Sequence, residues 1–259
     1  MTTMPMCGRE MIVELLNSYY GSTSLLNYSE SEDEIQFQLP APITDRQTAS
    51  FRSQATVLNE LAISHRLSLL LGRTKFGLPE DFSFAITSLE SFVQSIDAVD
   101  GYDLSLHFEV LAKRRDVITG LKSNLVTKYG VESRTTTTSF NVLPPALTNF
   151  VRRQRGFMDF SEVKIGGDKS HLENVADNQF RYYPSEEDRL SDGKRVDHVP
   201  ALTLIDIALW IDNKGAAYSR VSAEFLNYTD PRLTLEIERK DQNAVEFLQN
   251  GKSVAVVHL

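Results

Sequence analysis

Apolar residues recur at helical spacing in two long stretches of the chain, residues 58–75 and residues 201–211. In the second stretch the only polar side chains are those of Thr203 and Asp206, and Pro200 stands directly before it. Proline suits the first turn of a helix, because its missing N–H would have no partner there. A helix that is apolar on all sides is typical of a protein core. The pattern therefore predicts that the second helix is buried all round and that the first is mostly buried.

Stretches of alternating apolar and polar residues follow each predicted helix, as expected for antiparallel strands. After the first helix they cover residues 82–92, 103–111 and 117–128, and after the second they cover 217–227, 232–238, 244–248 and 253–259. Asn250-Gly251, between the last two runs, indicates a two-residue hairpin turn. Another strand is predicted before the first helix, from Thr48 to Val57. The sequence thus predicts an α+β protein with two similar halves.

Composition shifts suggest where the halves begin and end. Residues 1–45 contain a polar, acidic stretch and predict an N-terminal appendage. Residues 46–134 then form the first half, and residues 151–259 form the second. A threonine run and a Pro-Pro pair between them predict a linker over residues 135–150.

Charge and composition exclude several classes of protein. The formal net charge is −8, which argues against a general nucleic-acid binder, since such proteins need a basic surface. No apolar run reaches the roughly 18 residues of a membrane span, and the N-terminus lacks the profile of a secretory signal. We see no metal-ligand spacing and no glycine-rich phosphate loop, so neither a metal nor a resident cofactor is predicted. A cytoplasmic protein without a membrane partner is the expectation.

Asp206 is the most unusual residue of the second helix, because an isolated buried charge is costly. If apolar neighbours desolvate it, its pKa rises and it suits general acid–base catalysis. The alternative is a carboxylate that only makes an internal hydrogen bond. The sequence leaves both open.

Other candidates are polar groups near the two predicted helices. His65 and Arg66 are basic residues in an apolar helix, and one of them is expected to pair with Asp206, either as part of a ligand site or structurally. Asp197 either contacts substrate or caps the second helix, and His198 is either a substrate contact or structural. A basic cluster is predicted to bind a phosphate or to be a solvated loop; it consists of Arg152, Arg153 and Arg155.

Several segments resemble the A-factor biosynthesis family, which supplies γ-butyrolactone signals in actinobacteria. Val196-Asp197-His198-Val199-Pro200, with Leu202 and Leu204-Ile205 after it, is similar to that family's V-D-H-V-P-G-M-x-L-x-E-A-A-R-Q segment. Phe76-Gly77-Leu78-Pro79 resembles the F-G-V-P that ends the family's first helix. Further similar positions are Phe225, Tyr228, Asp230, Pro231 and Gln249-Asn250-Gly251.

The resemblance implies a double hotdog fold, in which each of two long helices is wrapped by an antiparallel sheet. It also implies transfer of a β-ketoacyl group from an acyl-carrier-protein or coenzyme A thioester to dihydroxyacetone phosphate, a small phosphorylated hydroxyketone. Alternatives are a hydroxyacyl-thioester dehydratase or thioesterase, or a catalytically degenerate hotdog that binds an acyl ligand or regulates a partner.

The family's helix motif E-x-x-R-Q is altered in this sequence. Its glutamate falls on Asp206 in the second helix and on Ala62 in the first, and its arginine falls on Leu209 and His65. The resemblance then implies that Asp206 is the acid–base group and that His65 or Arg66 contacts the thioester carbonyl. The losses at Ala62 and Leu209 favour the degenerate alternative.

Overall fold

The computed structural model describes Val13 and residues 27–31, 34–39, 54–154, 171–184, 198–212, 218–241 and 243–259. These residues fall into two compact units. The first unit takes those within Met1–Ala85, Leu89–Leu143 and Lys214–Arg220, and the second takes those within Ile86–Ser88, Pro144–Asn213 and Val221–Leu259. The chain changes from one unit to the other several times, and one of these changes lies between Leu143 and Pro144.

The first unit contains one long helix and a set of antiparallel strands. Its elements are β1 (Asn27–Glu30), β2 (Glu34–Leu39), α1 (Gln54–Phe76), β3 (Ser83–Arg114, apart from Ile86–Ser88) and β4 (Val117–Leu143). Strand β1 pairs with β2, and β2 pairs with the part of β3 that begins at Tyr102.

Strand β4 folds back on itself near Gly130, which has a positive φ of 58°. Asn124 Oδ1 lies 3.1 Å from Thr137 Oγ1, although the two residues are 13 positions apart. A straight strand would separate them by about 40 Å. Beyond that turn, Thr136 contacts Ser91 in the first part of β3. The resulting order is β2, late β3, early β4, late β4 and early β3.

The second unit repeats this order. Its elements are α2 (Pro145–Gln154), β5 (His171–Ala176), β6 (Gln179–Tyr183), α3 (Ala201–Asp212), β7 (Arg220–Phe225, apart from Arg220), β8 (Leu235–Arg239), β9 (Ala244–Gln249) and β10 (Lys252–His258). The antiparallel sheet runs β5-β6-β8-β9-β10-β7. As in the first unit, the strand before the central helix pairs with the second strand after that helix. The first strand after the helix lies at the opposite end of the unit's sheet. The predicted repetition of two α+β halves is confirmed.

Three predicted boundaries differ from the structure. The threonine run predicted as a linker is the last part of β4, and the helix α2 covers most of residues 144–150. Threonine is β-branched and favours strands, so a run of threonines fits the interior of a strand as well as it fits a linker. In the predicted appendage, Glu34–Leu39 alternates polar and apolar residues and pairs with β3. The strand predicted to end at Val57 is wrong for its last residues, because α1 begins at Gln54.

Two local predictions can be compared directly with the described residues. Asn250 and Gly251 both have positive φ, at 53° and 71°, as a hairpin turn of the primed type requires. None of the described helices is long and apolar enough to cross a membrane.

Candidate functional site

Helix α3 has one face that is not sealed. Nine of its twelve residues are buried, and Leu209 is fully inaccessible. Asp206, however, is only half-buried, and Trp210, one turn later on the same face, is 59% exposed. The prediction of a helix buried all round is therefore wrong on this face. A carboxylate on this face is within reach of a ligand.

The segment before α3 is held by the loop after β7. The His198 ring lies edge-on to Tyr228, with 5.1 Å between centroids. The Val199 N–H donates to the Thr229 carbonyl and side-chain oxygens at 3.2 and 3.1 Å. The Thr229 hydroxyl lies 3.2 Å from the Val199 carbonyl oxygen, to which it can donate in turn. This contact fixes the start of α3, and with it the position of Asp206.

A second set of contacts closes the same loop. The Arg232 guanidinium binds both carboxylate oxygens of Asp230, and these hydrogen bonds raise the pKa of Arg232 above its ordinary value. Gln249 Oε1 accepts from the Asp230 N–H at 2.8 Å, and its Nε2 donates to the carbonyls of Asp230 and Leu233. Two of the segments that resemble the A-factor family thus serve to shape one loop.

Replacing Gln249 with Leu is expected to destabilise the protein by about 1–3 kcal/mol, because the buried Asp230 N–H then loses its acceptor. Urea unfolding followed by circular dichroism measures the change. Gln179→Leu, at an exposed position in β6, is the matched control and should change stability by less than about 0.5 kcal/mol. Equal midpoints for the two variants would contradict a role for Gln249 in this loop.

The predicted basic residues of the first helix lie in α1. His65 and Arg66 are both half-buried, and the His65 ring is stacked on Phe140 with 6.2 Å between centroids. These residues belong to the first unit, whereas Asp206 belongs to the second. Their pairing with Asp206 stays a prediction.

The remaining predicted contacts are only partly described. Arg152 and Arg153 lie in the last turn of α2, so their backbone is helical and does not form the loop considered as one alternative. Their side chains, and all of Asp197 and Arg155, lie outside the described residues.

A buried polar row on α1 was not predicted from the sequence. Glu60 is 3% exposed, and its Oε2 accepts a hydrogen bond from the Thr127 hydroxyl at 2.8 Å. Two turns further along α1, the Ser68 hydroxyl lies 2.6 Å from that of Ser123. Glu60, Ser64 and Ser68 follow one another at intervals of four residues, which places them on one face of the helix. This four-residue spacing of polar residues is visible in the sequence and could have predicted the row.

Arg134 faces the same interior from strand β4 and is fully buried. Its Nη1 donates to Ser91 Oγ at 2.8 Å, and its Nη2 donates to the Tyr218 carbonyl at 3.3 Å. With Asn124 beside Thr137, the register of the folded strand places Arg134 across from Thr127, the partner of Glu60. A carboxylate and a guanidinium are therefore buried in the same part of the first unit. Arg134 directly precedes the threonine run, which the sequence pattern predicts as a linker, so its burial was not predicted.

The described residues hold no group of three or more His, Cys, Asp or Glu side chains that would suit a metal ion. The candidate residues among them offer carboxylates, hydroxyls, imidazoles and guanidinium groups. Such groups bind polar substrates, and carboxylates and imidazoles can also transfer protons.

No family model matches the sequence, and no curated protein matches it. Among solved structures, the chain is similar to the 12:0-ACP thioesterase from Umbellularia californica, with a TM-score of 0.51 and 13% identity over 88% of this chain and 96% of that one. It is also similar to an acyl-ACP thioesterase from Bacteroides thetaiotaomicron, with a TM-score of 0.46 and 12% identity over 88% and 98% of the two chains. The resemblance to the A-factor family stays a prediction. The chain has the α+β double hotdog fold, with a central helix and an antiparallel sheet in each unit.

Proposed function

We propose that the chain is an enzyme that acts on acyl thioesters of an acyl-carrier protein or of coenzyme A. The observation that carries this proposal is Asp206, a carboxylate on the one unsealed face of an otherwise buried helix. The nearby segments that fix the start of α3 give this carboxylate a defined position. The names of the structural neighbours, which are acyl-ACP thioesterases, agree with this substrate class.

In the proposed reaction Asp206 takes the proton of a hydroxyl group, whose oxygen then attacks the thioester carbonyl carbon. The carbon–sulfur bond breaks and the thiol leaves with a proton, so one ester is formed for each thiol released. His65 or Arg66 would stabilise the negative charge on the carbonyl oxygen. In the leading form of the proposal the hydroxyl belongs to dihydroxyacetone phosphate and the acyl group is a β-ketoacyl group. Arg152, Arg153 and Arg155 would bind the phosphate.

A non-catalytic acyl-binding protein is the second candidate. Two side chains favour it: Leu209 is fully buried and Ala62 is 7% exposed, so the positions of the family's arginine in one helix and of its glutamate in the other are sealed by apolar groups.

An assay of thiol release separates these candidates. The protein is incubated with a β-ketoacyl thioester of coenzyme A or of an acyl-carrier protein, with and without dihydroxyacetone phosphate, and products are identified by mass spectrometry. We expect thiol release that depends on the acceptor and yields a phosphorylated ester. Release without acceptor would mean hydrolysis by water. Loss of water in a parallel incubation with a β-hydroxyacyl thioester would mean a dehydratase. Binding of the thioester without any of these products would contradict an enzyme and support the second candidate.

A further inference from the structure

The hairpin that joins β3 to β4 extends past strand β2. Among the described residues, the pairing of β2 with β3 ends at His107, and β3 continues for seven more residues, to Arg114. Seven extended residues cover about 23 Å. Residues 111–117, the hairpin tip, comprise the ends of both strands and the turn between them, and all of them are exposed. Solvent therefore reaches both faces of this two-stranded ribbon.

Three cationic residues follow one another at the hairpin tip. Lys113, Arg114 and Arg115 are exposed, and within the described part of the chain their side chains form no ion pair or hydrogen bond. The nearest acid before them on β3, Glu109, is already bound to Lys122 at 2.9 Å. One acidic residue in the turn offsets only part of the positive charge. The tip is therefore a local cationic surface on a chain whose formal net charge is −8.

Exposed apolar side chains flank the cations on both strands. Leu111 on β3 is 49% exposed, and Val117 on β4 is 43% exposed. Burial of hydrocarbon and attraction of Lys and Arg to anionic headgroups are the two forces that hold a peripheral segment at a lipid surface. The hairpin tip offers both within seven residues.

The backbone of the turn is strained at one of the cations. Arg115 has a positive φ of 56°, a conformation that glycine or asparagine usually adopts in two-residue hairpin turns. No described side chain bonds to the Arg115 guanidinium in a way that would offset this strain. Strained residues cluster at functional sites, so an arginine at this position favours a contact with something outside the chain.

We propose that the hairpin tip binds the surface of anionic lipid membranes. Its shape favours a membrane over a protein partner, because a stable protein contact buries about 800 Å² on each side. One face of a seven-residue ribbon presents less than that. Lipid headgroups, in contrast, surround an inserted ribbon and contact both of its faces, and both are exposed here. The sequence-based expectation of no membrane partner considered only membrane-spanning segments, which binding at a surface does not require.

Flotation of the full chain with lipid vesicles tests the proposal. The probes are vesicles of phosphatidylcholine alone and vesicles of phosphatidylcholine and phosphatidylglycerol in equal parts. We expect binding to the anionic vesicles only, weaker at high salt. The variant Lys113→Gln/Arg114→Gln/Arg115→Gln should bind more weakly by about fivefold for each lost cation, and so by about 100-fold together.

A second variant tests the contribution of the hydrocarbon. Leu111→Ser/Val117→Ser keeps all three cations and should weaken vesicle binding by about tenfold. Both variants replace exposed side chains, so their circular dichroism spectra should match that of the parent protein.

The matched control removes three cations from elsewhere on the surface, in the variant Lys122→Gln/Arg220→Gln/Lys252→Gln. It should keep the vesicle affinity within about twofold. Failure of the parent protein to bind anionic vesicles, or full binding by either tip variant, would overturn the proposal. So would binding of an acidic acyl-carrier protein to the parent and not to the first tip variant, if neither binds vesicles, because the partner would then be a protein. Thiol release from a soluble thioester needs no vesicles, so loss of this inference is distinguishable from loss of the proposed function.

Discussion

Replacing Arg134 with Met is expected to destabilise the protein by about 3–5 kcal/mol. Arg134 is fully buried, and its guanidinium donates to Ser91 Oγ and to the Tyr218 carbonyl. Methionine keeps much of the apolar stem but none of the donors. Glu60 would then remain as a buried carboxylate with the nearby positive charge removed. Chemical unfolding in urea, followed by tryptophan fluorescence and circular dichroism, measures the loss.

Arg114→Met is the control for this variant, because Arg114 is exposed at the end of β3. It should change the free energy of unfolding by less than about 0.5 kcal/mol. The double variant Arg134→Met/Glu60→Leu should recover part of the loss, since removing both charges leaves no buried ion uncompensated. A loss below about 1 kcal/mol for Arg134→Met, or strictly additive effects in the double variant, would show that the two charges do not act together.

Repetition of the fold was predictable because periodicity is a local property. The helical spacing of residues 58–75 and 201–211 and the alternation after each can be seen without knowing any tertiary contact. The hairpin at Asn250-Gly251 was predictable for the same reason, since the positive φ values follow from the residue types themselves.

The boundary between the halves was not predictable from composition. Thr136 and Thr138 are fully or almost fully buried, and they alternate with half-buried neighbours just as apolar strand residues would. Composition alone presents such a run as polar, and polar runs resemble linkers. Only the register of β4 against itself and against β3 shows that these hydroxyls face inward. The burial of Arg134, which directly precedes this run, was unpredictable for the same reason.

The two helices also show that a polar residue on an apolar helix has no fixed meaning. Asp206 interrupts an apolar run and so suggests a buried charge, yet it lies half-exposed. Glu60 interrupts no such run, although it is almost fully buried and accepts a hydrogen bond from Thr127. Whether such a residue is buried depends on which face of the helix the sheet covers. In a helix that is apolar almost all round, such as α3, the sequence does not show which face that is.

Asp206→Asn is expected to lower kcat for thioester turnover by about 100- to 10,000-fold, the range typical of losing a general base. Asparagine has nearly the same shape but cannot take a proton from the attacking hydroxyl. Because Asp206 is only half-buried, the free energy of unfolding should change little. KM should also change little, since the carboxylate acts on the hydroxyl during the reaction and not on the bound acyl chain. Steady-state assays of thiol release measure both constants.

Glu224→Gln supplies the matched control, because Glu224 is an exposed carboxylate of β7 in the same unit. It should retain full activity. Asp206→Glu keeps a carboxylate and lengthens the side chain by one methylene, so it should keep a measurable part of the activity that Asp206→Asn loses. Full activity in a folded Asp206→Asn protein would remove Asp206 from the reaction. Thioester binding without turnover, in that variant and in the parent alike, would favour the acyl-binding candidate, in which the buried Leu209 and Ala62 mark a site that has lost its chemistry.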